Sequence, residues 1–181
     1  MNKIAVLFSG KGSNFAHIVK YSGSQEFEVV VALTNNPSAE GIHIAKKHGI
    51  ALEIVNSKEY ESRESFDKQL VKTLQKYQPD LTVLAGFMRI LTPVFTEQIK
   101  AINLHPSLLP RHKGLNAIEK SYEDEHEEGG VSVHFVNSKL DSGELIIQKK
   151  LPKEELSFKE YSKEIRGIEK EILIKAIKKV L

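Results

Sequence analysis

Short apolar runs alternate with helical periodicity over the first hundred residues, and few folds accept that pattern. Residues 4–8, Ile4-Ala5-Val6-Leu7-Phe8, are apolar on both faces, as a strand covered by helices on each side requires. Ser9-Gly10-Lys11-Gly12-Ser13-Asn14 makes a glycine turn, after which Phe15, Ile18 and Val19 recur at helical spacing. Residues 27–33 are a second β-rich run, ended by Thr34-Asn35-Asn36-Pro37 before a helix of about ten residues that stops at Gly49. Residues 51–55 read as a third strand. Ser62-Arg63-Glu64 opens a helix with Phe66, Leu70, Leu74 and Tyr77 on its apolar side and Pro79 at its close. Residues 81–85 form a fourth strand leading into Gly86-Phe87-Met88-Arg89. Thr92-Pro93 suits the start of a short helix through Ile99, and residues 101–105 form a fifth strand. Alternation at this pitch predicts an α/β fold with a doubly wound, mostly parallel sheet and helices on both faces.

Beyond Pro110 the pattern changes. Leu115, Ile118 and Tyr122 predict a helix that runs out in the acidic stretch 123–128, read as a solvated face or loop. Val131, Val133 and Phe135 alternate with Ser132 and His134 in a strand, residues 137–143 form a loop, and residues 144–149 form the next strand, giving a late antiparallel portion. Ser157 and Glu160 make a capping box for a terminal helix with Phe158, Tyr161, Ile165, Ile168 and Ile172 on one stripe. No repeat, low-complexity segment or linker interrupts the 181 residues, so a single domain is expected.

Charge and cysteine content narrow the partners. Lys and Arg total 26 against 24 Asp and Glu, a net +2, which disfavours nucleic acid or an anionic membrane as the main partner. The absence of cysteine excludes disulfides, thiolate metal sites and a Cys nucleophile. The first apolar run is too brief for a signal peptide or a membrane span, so a cytoplasmic location is expected.

Asn103-Leu104-His105-Pro106-Ser107-Leu108-Leu109-Pro110 carries the most unusual chemistry. Asn103 and His105 share one face at a strand end, and two prolines then turn the chain. An amide and an imidazole presented together can donate to a developing oxyanion and exchange a proton. Ligands of open α/β sheets bind at the carboxyl ends of strands, where residues 9–14 and 86–89 are also expected. The first turn lacks the third glycine of a dinucleotide fingerprint and the Gly-Lys-Ser/Thr ending of a Walker loop. It is read either as a plain tight turn or as backbone N–H groups of Gly12, Ser13 and Asn14 offered to a phosphate monoester.

Among the other histidines, His134 is assigned a core or supporting hydrogen bond. His17, His43, His48, His112 and His126 have no partner suggested by the sequence and are assigned surface or packing roles. No His/Asp/Glu set has metal-ligand spacing, and no metal is expected. Asp141, in Leu140-Asp141-Ser142-Gly143, is either a turn former or the carboxylate that orients His105 and receives a proton. With no evident protein nucleophile, the nucleophile is assigned to a substrate.

These motifs, in order, resemble those of the folate-dependent formyltransferases that act on glycinamide ribonucleotide. The resemblance is carried by Val6-Leu7-Phe8-Ser9-Gly10-Lys11-Gly12-Ser13-Asn14, Ser62-Arg63-Glu64, Leu84-Ala85-Gly86-Phe87-Met88-Arg89-Ile90-Leu91 and the Asn103 to Pro110 stretch. Val133-His134-Phe135-Val136 followed by Leu140-Asp141-Ser142-Gly143 completes it. It implies a Rossmann-like formyltransferase domain over residues 1–181, with a phosphate-binding half at about 1–100 and a folate and catalytic half at about 101–181. It further implies transfer of the formyl group of N10-formyltetrahydrofolate to the amine of glycinamide ribonucleotide, in de novo purine biosynthesis. By resemblance Asn103, His105 and Asp141 are catalytic, and Gly12, Ser13, Asn14 and Glu169 bind the ribonucleotide. Arg63, Met88, Arg89, Ile90, Leu91 and Asn103 line the folate site. The partners are these small molecules, with no nucleic acid, membrane or metal, acting on a monomer or homodimer.

Lys113, Gly129 and Arg166 depart from residues usual in the family and put detailed loop contacts in question, not the reaction. The alternatives are another formyltetrahydrofolate enzyme, such as a hydrolase or a sugar-nucleotide formyltransferase, and a non-catalytic α/β ligand-binding module.

Overall fold

The computed structural model describes residues 1–23 and 26–181. The chain divides into two compact units, Met1–Ile102 with Leu181, and Asn103–Val180.

In the first unit, β1 (Asn2–Phe8), β2 (Phe27–Thr34), β3 (Leu52–Ile54) and β4 (Leu81–Leu84) lie in the order β3-β2-β1-β4. Strand β5 (Ala101–His105) begins here. The pairs β1–β2, β1–β4 and β2–β3 are all parallel, with Ile4 opposite Leu81 and Ala32 opposite Leu52. Residues 4–8 of β1 are fully buried, which is why that run lacks any polar alternation. From β1 the chain moves to β2 and β3 on one side and then to β4 on the other, so the strand order reverses between β1 and β4.

Helices α1 (Ser13–Val19), α2 (Ile42–Lys47), α3 (Arg63–Gln75) and α4 (Pro93–Thr96) connect these strands. Two are shorter than expected. Before α2, Gly41 lies against the Phe8 ring so closely that a Cβ would collide with it, and its N–H donates to the carbonyl of Gly10. The single turn of α4 ends well before Ile99, and the Thr92 hydroxyl donates to buried Asp67 rather than capping the helix. Helix α3 begins as expected, with a capping box between Ser62 and Ser65.

In the second unit, residues 103–105 of β5 are followed by α5 (Ala117–Glu123), β6 (Glu128–Phe135), β7 (Leu145–Pro152) and α6 (Phe158–Val180). β6 lies between β5 and β7 and pairs with β7 antiparallel, Val133 opposite Ile147. Pairing is thus parallel among the first four strands and antiparallel at β6–β7.

Ser132 and His134 are buried along with the valines. Their face of β6 is covered by hydrogen-bonded chain: the Ser132 hydroxyl donates to the Ser107 carbonyl at 2.6 Å and accepts from the Leu109 N–H at 3.1 Å. Tyr161, Ile165, Ile168 and Ile172 of α6 are buried as a stripe, Phe158 is partly exposed, and Ser157 and Glu160 cap the helix reciprocally. Among the described residues no helix is long and apolar enough to cross a membrane.

Candidate active site

Within the second unit, Asn103, His105 and Asp141 come together. The two-residue spacing on β5 puts the amide and the imidazole on one side, and the loop after β6 returns Asp141 to them. Asp141 takes a left-handed backbone, φ 46°, and its side chain is only 5% exposed. Its Oδ2 stands 3.4 Å from Nδ1 of His105 and accepts the Gly114 N–H at 2.8 Å. Its Oδ1 accepts from Nδ2 of Asn103 at 3.3 Å and lies 3.5 Å from Nε2 of His134.

The two histidines are anchored differently. Nδ1 of His134 faces the Phe135 carbonyl at 2.8 Å, so it carries a proton, and Nε2 lies 3.3 Å from Nδ2 of Asn103. The supporting bond assigned to His134 is present. Nε2 of His105 faces the carbonyl of His112 at 2.7 Å. Both ring nitrogens of His105 therefore face oxygen, and the imidazolium is the form that donates at both ends. For Asp141, burial would raise the carboxyl. The contact from His134, the Gly114 N–H and the field of both histidines overcome that and hold it below its ordinary value.

His112 and Asp124 escaped sequence reasoning. Nε2 of His112 lies 2.6 Å from Oδ2 of Asp124, and Lys153 reaches Oδ1 of the same carboxylate at 2.7 Å. The surface or packing role assigned to His112 is therefore corrected, as is the reading of Asp124 as part of a solvated acidic run. The only signal available was one Asp amid four glutamates, and it names no partner.

In the first unit, the turn after β1 meets the segment after β4, at the reversal of strand order. The Ser9 N–H donates to Gly86 O at 3.0 Å, and the Ser9 hydroxyl accepts the Met88 N–H at 2.8 Å and donates to Oδ1 of Asn35 at 2.5 Å. Gly12, the N-cap of α1, has φ 74°, and a Cβ there would press on Gly41 and Ile44. Glycine is thus required for the turn that aims the N–H groups of Ser13 and Asn14 outward from the first helical turn.

Arg63 is the first residue of α3, and Arg89 lies over the ring of Phe66, one turn further on, at 5.1 Å. Met88 and Ile90 are 64% and 46% exposed, whereas Leu91 is buried in the core. The exposed pair leaves apolar side chains next to a cation, and Leu91 can offer a ligand only its backbone. Glu169 is half-buried on α6 and Arg166 is exposed there. Gly129 leaves room for the Tyr161 hydroxyl, which a side chain at that position would displace. Lys113 donates to the Ser142 hydroxyl at 2.7 Å. Among the described residues no group of three or more His, Asp or Glu is placed to hold a metal ion.

Residues 2–177 match the family model described as formyl transferase. The phosphoribosylglycinamide formyltransferase of Escherichia coli (strain K12) is 40% identical over 153 residues, which cover 82% of this chain and 72% of that protein. The trifunctional purine biosynthetic protein adenosine-3 of Chironomus tentans is 38% identical over 156 residues, 83% of this chain and 11% of that protein. Among solved structures, phosphoribosylglycinamide formyltransferase from Campylobacter jejuni superposes with a TM-score of 0.94 at 48% identity, covering 97% of this chain and 95% of that one.

Proposed function

Because the chain belongs to the formyl transferase family, we propose that it moves the formyl group of N10-formyltetrahydrofolate onto the amine of glycinamide ribonucleotide, yielding formylglycinamide ribonucleotide and tetrahydrofolate for purine biosynthesis. The observation that carries this reading is the convergence of Asn103, His105 and Asp141, an amide donor, an imidazole and a carboxylate held low.

The substrate amine attacks the formyl carbon, the new C–N bond forms, and the bond from that carbon to N10 breaks. With Nε2 kept on the His112 carbonyl, charged His105 turns its Nδ1–H from Asp141 to the oxyanion of the tetrahedral intermediate, and Asn103 turns one amide N–H from its long contacts to the same oxygen. Asp141 takes the proton the amine loses, and that proton returns to N10 as it leaves. Positioning two bound reactants supplies much of the remaining acceleration. Gly12, Ser13 and Asn14 bind the ribonucleotide phosphate, with Glu169 on the same substrate. Arg63, Arg89, Met88 and Ile90 with the backbone at Leu91 bind the folate, which Asn103 also contacts. The whole is read as one formyltransferase domain, residues 1–181.

An absorbance assay of folate turnover tests the proposal. Turnover that requires both substrates supports transfer. Folate consumption without the ribonucleotide assigns a hydrolase instead, and a protein that binds folate without consuming it is a binding module.

A further inference from the structure

His112 takes a backbone conformation that its side chain does not favour, φ 53°, and two of its groups face in functional directions. Its carbonyl meets Nε2 of the proposed catalytic His105 at 2.7 Å. Its own Nε2 is fastened to Oδ2 of Asp124 at 2.6 Å. Two residues on, the Gly114 N–H meets Oδ2 of Asp141 at 2.8 Å. The segment 112–114 therefore touches both members of the proposed acid–base pair through its backbone.

Asp124 is itself firmly seated. It follows α5 directly, accepts the His126 N–H at 3.0 Å and lies 3.7 Å from the Arg111 guanidinium. Lys153, largely buried, donates to Oδ1 of Asp124 at 2.7 Å and also to the carbonyls of Ser121 and Asp124 at 2.8 and 2.9 Å. A cation on the last carbonyls of a helix complements the helix dipole and completes their hydrogen bonding. Burial opposes ionisation of Asp124, but the bonds from Lys153, His112 and the His126 N–H prevail and hold its carboxyl far below the usual range.

A histidine held at positive φ, tied by its side chain to a fixed carboxylate, orients its carbonyl at the cost of local strain, and strain of this kind collects where geometry serves function. We infer that His112 and Asp124 are positioning residues: their hydrogen-bonded tether fixes the backbone that aligns His105 and Asp141 for formyl transfer. This rests on the function proposed above.

The discriminating variant is His112→Gly, because glycine adopts φ 53° freely and loses only the tether. His112→Gln is the rescue, since its amide can still donate to Asp124. Expected for His112→Gly are a fall in kcat of about tenfold or more, KM for both substrates within about twofold of the parent, and a shifted 15N signal from Nε2 of His105 in the unliganded protein. That signal is assigned by its loss in His105→Asn. His112→Gln keeps kcat and the signal near parental values. An unchanged kcat, an unmoved signal in His112→Gly, or a glutamine variant as impaired as the glycine one overturns the tether. If the parent protein transfers no formyl group, the functional reading fails while the His105 signal still decides whether the tether aligns the ring.

Discussion

The Gly114 N–H donates to the carboxylate oxygen of Asp141 that faces His105, at 2.8 Å. One backbone donor thus helps keep ionised the group proposed to accept a proton. The folded value of Asp141 lies below its ordinary 3.8. The ionised form therefore supports stability and turnover above that value, and both are lost as pH falls through the lower folded value. Asp141→Asn is expected to lower kcat by about 10²–10⁴-fold. In the parent enzyme the acid loss due to Asp141 should lie below pH 3.8. A pH–rate profile of both proteins checks this, and an asparagine variant with full turnover contradicts it.

Asp67 behaves in the opposite sense. It is 1% exposed, and one oxygen accepts both the N–H and the hydroxyl of Thr92, at 2.6 and 2.7 Å. Burial raises its carboxyl despite those bonds. The folded state then holds the proton more tightly than the unfolded chain, so the contribution of Asp67 to stability falls as pH rises from 3.8 through the raised value. Asp67→Asn keeps an acceptor without the charge and should be at least as stable as the parent at neutral pH. Asp67→Ala leaves Thr92 unpaired and should cost about 1–3 kcal/mol. Urea unfolding at several pH values separates the two.

Gly143 lies so close to the Phe135 carbonyl that a Cβ would overlap the oxygen. Gly143→Ala must therefore move the loop two residues after Asp141. We expect a stability loss of about 1–3 kcal/mol together with a larger fall in kcat than in substrate affinity. Thermal unfolding and steady-state kinetics on the same preparation measure both.

Arg63 and Arg89 are proposed to bind the folate without touching the reacting atoms. Arg63→Ala and Arg89→Ala should raise KM for N10-formyltetrahydrofolate while leaving kcat within about threefold, the signature of binding shared by ground and transition states. Arg89→Ala should also cost about 0.5–1 kcal/mol of stability through its lost contact with Phe66. A kcat collapse in either variant would move that arginine into the chemistry.

Local rules reached the strands well. The run at residues 4–8, apolar on every face, could only be a central strand, and the Ser62 and Ser157 caps announced α3 and α6. The cap of α4 was less legible because a distant partner intervened: Asp67 captures the Thr92 hydroxyl. Asn103 and His105 were readable because strand periodicity alone puts them on one side. Asp141 could be nominated but not joined to them, since 36 residues separate it from His105 and only the folded loop closes that gap. His112 and Asp124 carried no pattern at all, because a pair across a helix depends on where the helix ends.

The Ser9 hydroxyl gives its proton to Asn35 and receives one from the Met88 backbone. Few side chains can do both through one atom at that reach, and among the standard residues only serine and threonine qualify. Alanine, valine or cysteine would leave the Met88 amide and the Asn35 oxygen to compete for water. The vocabulary at position 9 thus shrinks to two letters, set by neighbours 26 and 79 residues away.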